Sequence, residues 1–317
     1  MNNGNSVATI SFNSFIAADV VKKKIDEVVG GEKGQRFITA IVSAVNNNEA
    51  LKECTNQSIF SAALLGESLN LSPSPQLGQY YMVPFNDKEK GKVAQFQLGY
   101  KGYIQLAIRS GQYKDIDVIE IREGEFLGRN SLNGKYQFKF IEDEDVREEK
   151  SIIGYMAYFE YMNGFSKQLY WSKEKMIKHA DKYAPSFSMN AIINKKYPKS
   201  SKVSYQDFVD GKYPKEDAWK YSSFWYKDFD QMAFKTLLRQ LISKWGIMSI
   251  DMQTAFENDQ AIIHDDGTKE YPKKDQEQIP EAKIVDDDIK SDPIVGSMTE
   301  SEKTTERQIT LDELQNN

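Results

Sequence analysis

Two sets of side chains in this sequence have types and spacing suited to holding a polyanion. Lys101, Gln105 and Arg109 fall at i, i+4 and i+8, and so do Gln231, Lys235 and Arg239. On helices, each set makes a line of two cations and one amide along a single face. Such lines suit a phosphate backbone, because the cations neutralise charge and the amide adds hydrogen bonds to phosphate oxygens. Each line alone also fits a plainer reading, the solvated face opposite an apolar stripe. A third feature is the stretch from Lys195 to Lys227, in which Lys195, Lys196, Lys199 and Lys227 are interleaved with tyrosines, Trp219, Phe224 and Trp225. Cations for phosphates and flat rings for bases or sugars are what sequence-tolerant binding of a single strand requires, and Tyr103 adds a ring beside the first line. The same composition fits a surface loop packed by tyrosines.

Other chemistries find less support. Phosphate-cradling GxxxxGK[ST] does not occur, since Gly91-Lys92 lacks the following hydroxyl residue and Gly134-Lys135 precedes Tyr136 with no glycine at the upstream spacing. An ATP-driven mechanism is therefore disfavoured. Glu148-Glu149-Lys150 offers the Glu-x-Lys of a metal-dependent nuclease, but it follows the acidic run Glu142 to Asp145, where a solvated loop is the ordinary explanation. With one cysteine, Cys54, and two histidines, His179 and His264, an internal disulfide is excluded and a dedicated zinc site is disfavoured.

The 317 residues are 40% apolar and 12% aromatic, enough for a sizeable core. No run approaches a membrane span, and the opening MNNGNSVATI lacks a signal-peptide pattern, so a cytoplasmic protein is expected. The net charge of −6 is unevenly placed: residues from Phe256 onward carry 7 basic and 17 acidic side chains, leaving the preceding 255 residues at +4. A polyanion responds to the local potential of the surface it meets, so a mildly basic body can bind one despite the total.

Helical spacing and breakers predict helices from Ser14 to the glycines at 30–31, from Gln35 to Val45, and from Gln57 to Leu69, the last stopped by Pro73 and Pro75. Strands are predicted at LGQYYMVPF and QFQL on either side of the charged turn Asp87 to Gly91, and a helix then carries the first line of cations to Gly111. Further strands are expected around Ile116 to Ile121, at Tyr136 to Ile141, and on both sides of Asn163-Gly164, a hairpin signal. Ser172 can cap a helix running to Tyr183. A long helix from about Ser222 to Trp245 carries the second line opposite Phe234, Leu237, Leu238, Leu241 and Trp245. The fold class is thus α+β: a small, mostly antiparallel sheet flanked by helices, a long C-terminal helix, and a disordered acidic tail. The expected division is an N-terminal arm and helix over 1–34, a core over 35–255 and a tail over 256–317.

Several motifs in this order resemble the RecT family of phage recombination proteins. They are LGESLNLSP at 65–73, LGQYYMVPF at 77–85, LGYKGYI at 98–104, RSG at 109–111 and MAFKTLLR at 232–239. The resemblance implies an ATP-independent protein that coats single-stranded DNA in rings or filaments and pairs it with a complementary strand, making and breaking no bond. It implies no cofactor, with magnesium entering only as a charge-screening ion. The implied partners are DNA, further copies of the chain, a phage exonuclease and, through the tail, host single-strand binding protein, all in the bacterial cytoplasm. On this reading Lys101, Arg109, Lys235 and Arg239, with Gln105 and Gln231, clamp phosphates. Tyr103, Trp219, Phe224 and Trp225 are candidates to stack, and each could equally be core. The N-terminal helices are candidate oligomer contacts. The alternatives are the nuclease near Glu148 and a structural oligomer whose basic rows meet a neighbour's acidic tail.

Overall fold

In a computed structural model, residues 10–87, 90–189, 202–264 and 268–271 are described, all within one unit spanning Met1–Glu281. Five helices come first: α1 (Phe12–Ile16), α2 (Asp19–Val28), α3 (Gly31–Asn46), α4 (Glu49–Lys52) and α5 (Asn56–Ser68). The starts of α1, α4 and α5 are set by short polar side chains, with Ser11, Asn48 and Thr55 each accepting a first-turn backbone N–H. The first expected helix is broken at 17–18, where Ala18 leaves the helical region.

An antiparallel hairpin follows, β1 (Tyr80–Asp87) with β2 (Gly91–Leu98), paired from Tyr80↔Leu98 to Asp87↔Gly91. The chain then enters α6 (Tyr100–Arg109). Glycines at 99 and 102 permit the close approach of α6 to the start of β1: a Cβ on Gly99 would lie 2.1 Å from the Gly78 carbonyl oxygen, and one on Gly102 would lie 2.1 Å from that of Gln79.

The central sheet has strand order β3-β6-β7, built from β3 (Tyr113–Arg122), β6 (Ile152–Tyr161) and β7 (Ser166–Ser172), all antiparallel. Between β3 and β6 lie a small hairpin, β4 (Phe126–Arg129) with β5 (Tyr136–Phe138), and a short helix α7 (Glu144–Glu148). The expected strand to Ile141 therefore ends earlier, and β4, with a register shift between Phe126 and Gly128, is an addition. Ser172 caps α8 (Lys173–Tyr183) as its position predicts. The C-terminal part comprises α9 (Tyr205–Val209), a 3-10 turn over Lys215–Tyr221, α10 (Phe224–Lys227), α11 (Phe229–Trp245), α12 (Ile250–Asn258), and a two-residue-per-strand hairpin, β8 (Ile262–Ile263) with β9 (Lys269–Glu270). The predicted long helix is interrupted at Asp228, which leaves helical geometry and caps α11 by accepting from the Gln231 N–H.

The core lies between the central sheet and α11 and continues under the β1–β2 hairpin to α5. Leu237, Leu238, Leu241 and Ile242 are fully buried against sheet residues such as Tyr155, Phe159 and Leu169. Each such aliphatic side chain contributes about 1.5–3 kcal/mol of burial free energy. The expected boundary at Ala255 is corrected: Ala261 and Ile262 are buried, and the Phe96 N–H donates to Ala261 while the Gln260 N–H donates back to Phe96 (3.2 and 2.8 Å). Residues 260–261 thus extend the ladder of β2. The rest of the expected tail, 265–267 and from 272 onward, lies outside the described residues.

Candidate nucleic-acid interface

Helices α6 and α11 pack together, so the two predicted lines do adjoin. They are not equally available. On α6, Lys101, Gln105 and Arg109 are all exposed. The Arg109 guanidinium nevertheless turns to the C-terminal end of α5, donating to the Leu69 carbonyl at 2.7 Å and the Asn70 carbonyl at 3.3 Å. It there satisfies carbonyls that α5 leaves unpaired. Lys101 remains as the cation of the α6 line that faces solvent.

On α11 the expectation needs correction. Gln231 is exposed, but Lys235 is only 8% exposed, and its Nζ donates to Asp259 at 3.0 Å. Arg239 is half-buried, donating to the second Asp259 oxygen at 2.9 Å and to the Tyr103 hydroxyl at 3.1 Å. Tyr103 is itself fully buried, so it packs rather than stacks on a base. The Leu98 N–H completes the shell of Asp259 at 3.0 Å. Burial lowers the pKa of Lys235, and Asp259 offsets part of that shift. The neighbouring Tyr103 oxygen and then Asp259 hold Arg239 further toward the charged form, against the effect of burial. Lys235 and Arg239 are therefore a structural clasp around a carboxylate, made possible because the acidic C-terminal segment folds onto β2.

What solvent does meet is a smaller face where α6 and α11 begin. The Lys101 stem and the Tyr81 hydroxyl both border Gly78, where a Cβ would lie 3.4 Å from Lys101 Cδ and 3.1 Å from the Tyr81 oxygen. The Tyr81 hydroxyl lies 3.4 Å from Gln231 Oε1, and its ring is 5.8 Å from that of the exposed Phe224. Lys101 Nζ sits 5.9 Å from the centre of the Tyr100 ring. Asp228 lies in the same face, bound by the Gln231 amide. Burial and then Asp228 push the Tyr81 hydroxyl pKa up, keeping it a neutral donor. Tyr81 and Tyr100 were not among the predicted contacts. The strand alternation held the signal for Tyr81, since Tyr80 points into the core and its neighbour must point out.

The remaining predicted residues divide. Trp219 and Lys227 are exposed, whereas Trp225 is buried between Phe187 and Phe229 and is core. Lys195, Lys196 and Lys199 lie outside the described residues. The carboxylates around the acidic run are engaged in a network of their own. Glu125 is fully buried; against the cost of that burial, the Arg147 guanidinium at 2.7 Å and the Arg122 and Ile141 N–H groups lower its pKa. Arg147 also meets Glu120 and Glu144, and the Glu148 carbonyl accepts from Arg122. Among the described residues no cluster of three or more metal-binding side chains forms, so the Glu148 loop gains no geometric support as a nuclease site.

A family model described as the RecT family matches residues 35–278. The chain belongs to the RecT family. It is 36% identical over 260 residues to YqaK of Bacillus subtilis (strain 168), covering 82% of this chain and 74% of that protein. It is also 35% identical over 116 residues to Protein RecT of Escherichia coli (strain K12), covering 35% of this chain and 43% of that one. Membership places it with the phage-type recombination and annealing proteins. The RecT match extends beyond Ala255 and so includes Asp259 and the ladder it anchors. No helix among the described residues is long and apolar enough to cross a membrane.

Proposed function

We propose that this RecT-family protein is an ATP-independent single-strand annealing protein. The observation that carries the reading is the face at the joined starts of α6 and α11, where exposed Lys101, Gln231 and Phe224 gather around half-buried Tyr81. Two complementary strands repel through their phosphates, so an annealer must quiet one backbone while leaving base edges free. Lys101 neutralises a phosphate, the Gln231 and Gln105 amides and the Tyr81 hydroxyl supply neutral hydrogen bonds, and Phe224 offers a ring to a base or sugar. Watson–Crick pairing then reads the sequence, and no bond is made or broken. The exposed Trp219 and Lys227 are further candidates to meet DNA.

One such face per subunit binds weakly, and repetition along a strand through self-association multiplies it. The α1–α3 region is the candidate contact between copies. A phage exonuclease and host single-strand binding protein are the candidate partners in the bacterial cytoplasm, the latter meeting the acidic residues beyond 271. Magnesium would act only by screening charge.

The test uses two complementary labelled oligonucleotides added in turn, without ATP. Duplex formation with intact strands, and an equal loss of affinity across unrelated sequences in Lys101→Glu, are expected. Shortened strands with magnesium, or sequence-selective loss in the variant, would overturn the proposal.

A further inference from the structure

The β4–β5 hairpin takes no part in the α6–α11 face, yet its charge has a single sign. From Phe126 to Phe140 the chain carries Arg129, Lys135 and Lys139 and no acidic residue, within a protein of net charge −6. The strand period sorts these side chains. Phe126, Tyr136 and Phe138 pack on Tyr170 of β7, with ring centres 4.5, 5.6 and 5.7 Å away, while Lys135, Gln137 and Lys139 are exposed. The Lys139 N–H donates to the Glu125 carbonyl at 2.8 Å, so the backbone stays laddered to the third of them. Side chains on one face of a strand repeat about every 6.8 Å. Cation, amide and cation therefore stand in a row, the grouping seen on α6 but at strand spacing.

Among the described residues these lysines, like Lys101 on α6, are free of the carboxylate partners that hold several others on the surface. Lys52, Lys114, Lys178 and Lys212 each meet a carboxylate, on Glu49, Glu160, Glu174 and Asp210. Among the described residues Lys135 and Lys139 meet none. The acidic run that follows serves α7 instead: Asp143 caps it, and Glu144 faces Arg147. The arm is also fixed before any ligand arrives. Asn130 Oδ1 accepts from the Leu132 and Asn133 N–H groups, Asn133 Oδ1 accepts from that of Lys135, and Arg129 Nε donates to the Gly134 carbonyl at 2.7 Å. A pre-ordered arm loses little entropy on binding. At its tip Leu132 is 95% exposed.

We propose that the outward face of this hairpin is a second DNA track, in which Lys135 and Lys139 each neutralise a phosphate of single-stranded DNA and Gln137 bridges between them. The inference rests on the annealing reading and adds to it a contact surface that the α6–α11 face does not contain. A row of cation, amide and cation with no acidic residue in it favours a phosphate backbone over an acidic protein segment, because its regular strand spacing suits the regular repeat of phosphates.

The test is fluorescence anisotropy of labelled single-stranded DNA with the full chain across a salt series, comparing wild type, Lys135→Glu/Lys139→Glu, Lys135→Gln/Lys139→Gln and a control Lys52→Glu. Each phosphate contact changes the salt slope by about 0.7, so the Gln pair should lower the slope by about 1.4 and weaken binding roughly tenfold at physiological salt. Reversal should weaken it further, and Lys52→Glu should bind as wild type. Should the Glu pair fail to fold, the Gln pair alone decides. Wild-type affinity and slope in the Gln pair would overturn the track while leaving the annealing reading in place. Loss of self-association with DNA binding intact would assign the hairpin to a protein contact and likewise overturn it. If wild type binds no DNA, the annealing reading fails and the track falls with it.

Discussion

Replacing Asp259 by alanine should destabilise this protein more than any surface charge change. The carboxylate accepts from Lys235 Nζ at 3.0 Å, from Arg239 Nη1 at 2.9 Å and from the Leu98 N–H at 3.0 Å, and it is 6% exposed. Arg239 keeps the Tyr103 hydroxyl and the Phe256 ring, but Lys235 is left as an uncompensated buried cation. Removing one partner of a buried ion pair costs about 3–5 kcal/mol, and an orphaned backbone N–H adds about 1–3 kcal/mol, although the two are not additive. A loss of about 4 kcal/mol is a large share of the 5–15 kcal/mol that typical folds possess. Urea unfolding followed by tryptophan fluorescence reads it directly. Adding Lys235→Met to the alanine variant should restore more than about 1 kcal/mol, because the unpaired charge is gone and its stem volume is kept. The reasoning is refuted if Asp259→Ala unfolds within about 0.5 kcal/mol of wild type. It is equally refuted if that variant keeps its stability and binds single-stranded DNA more tightly, since Lys235 and Arg239 would then be ligand-facing after all.

Two further outcomes follow from the packing. Gly102→Ala should cost about 3 kcal/mol or more, since the new methyl would meet the Gln79 carbonyl and Leu98 Cδ1 at 2.1 and 2.8 Å, and thermal unfolding would register it. His179, packed between Trp171 and Tyr183, has its pKa lowered to about 4 from 6.5 by burial and then by Lys175 and Lys182. The unfolded chain therefore binds the extra proton in that window, and stability should fall by a few kcal/mol as pH drops from 6.5 to about 4. His179→Phe should flatten the decline in unfolding free energy measured against pH.

Element types were legible in the sequence wherever a local signal decided them. Ser172 capping α8, Asn163-Gly164 turning β6 into β7, and the Leu237, Leu238 and Leu241 stripe all read correctly because each rests on neighbours within a turn or two. The face that holds the cations did not read correctly, for a tertiary reason. Helical spacing shows that Gln231, Lys235 and Arg239 share a side of α11, but it does not show what packs there. The covering group, Asp259, sits in a segment whose acidic composition resembles solvated chain, so one structural carboxylate was hidden among many. For Tyr103 and Trp225 the sequence leaves stacking and core equally open, because aromatic residues serve packing and stacking alike, and only the fold places both in the core. The break at Asp228 was missed because aspartate within a helical pattern is tolerated until its side chain takes the capping role.

The Asp259 clasp also bears on how this polypeptide must come off the ribosome. Its carboxylate binds Leu98, which precedes it by 161 positions. At roughly 5–20 residues per second, β2 waits on the order of ten to thirty seconds for that counterpart to be synthesised. Lys235 and Arg239 emerge only 24 and 20 positions before Asp259, so they lack their counter-ion for roughly the last one to five seconds of that delay. A product ending before Asp259 keeps those two cations uncompensated and is ready prey for quality-control proteases.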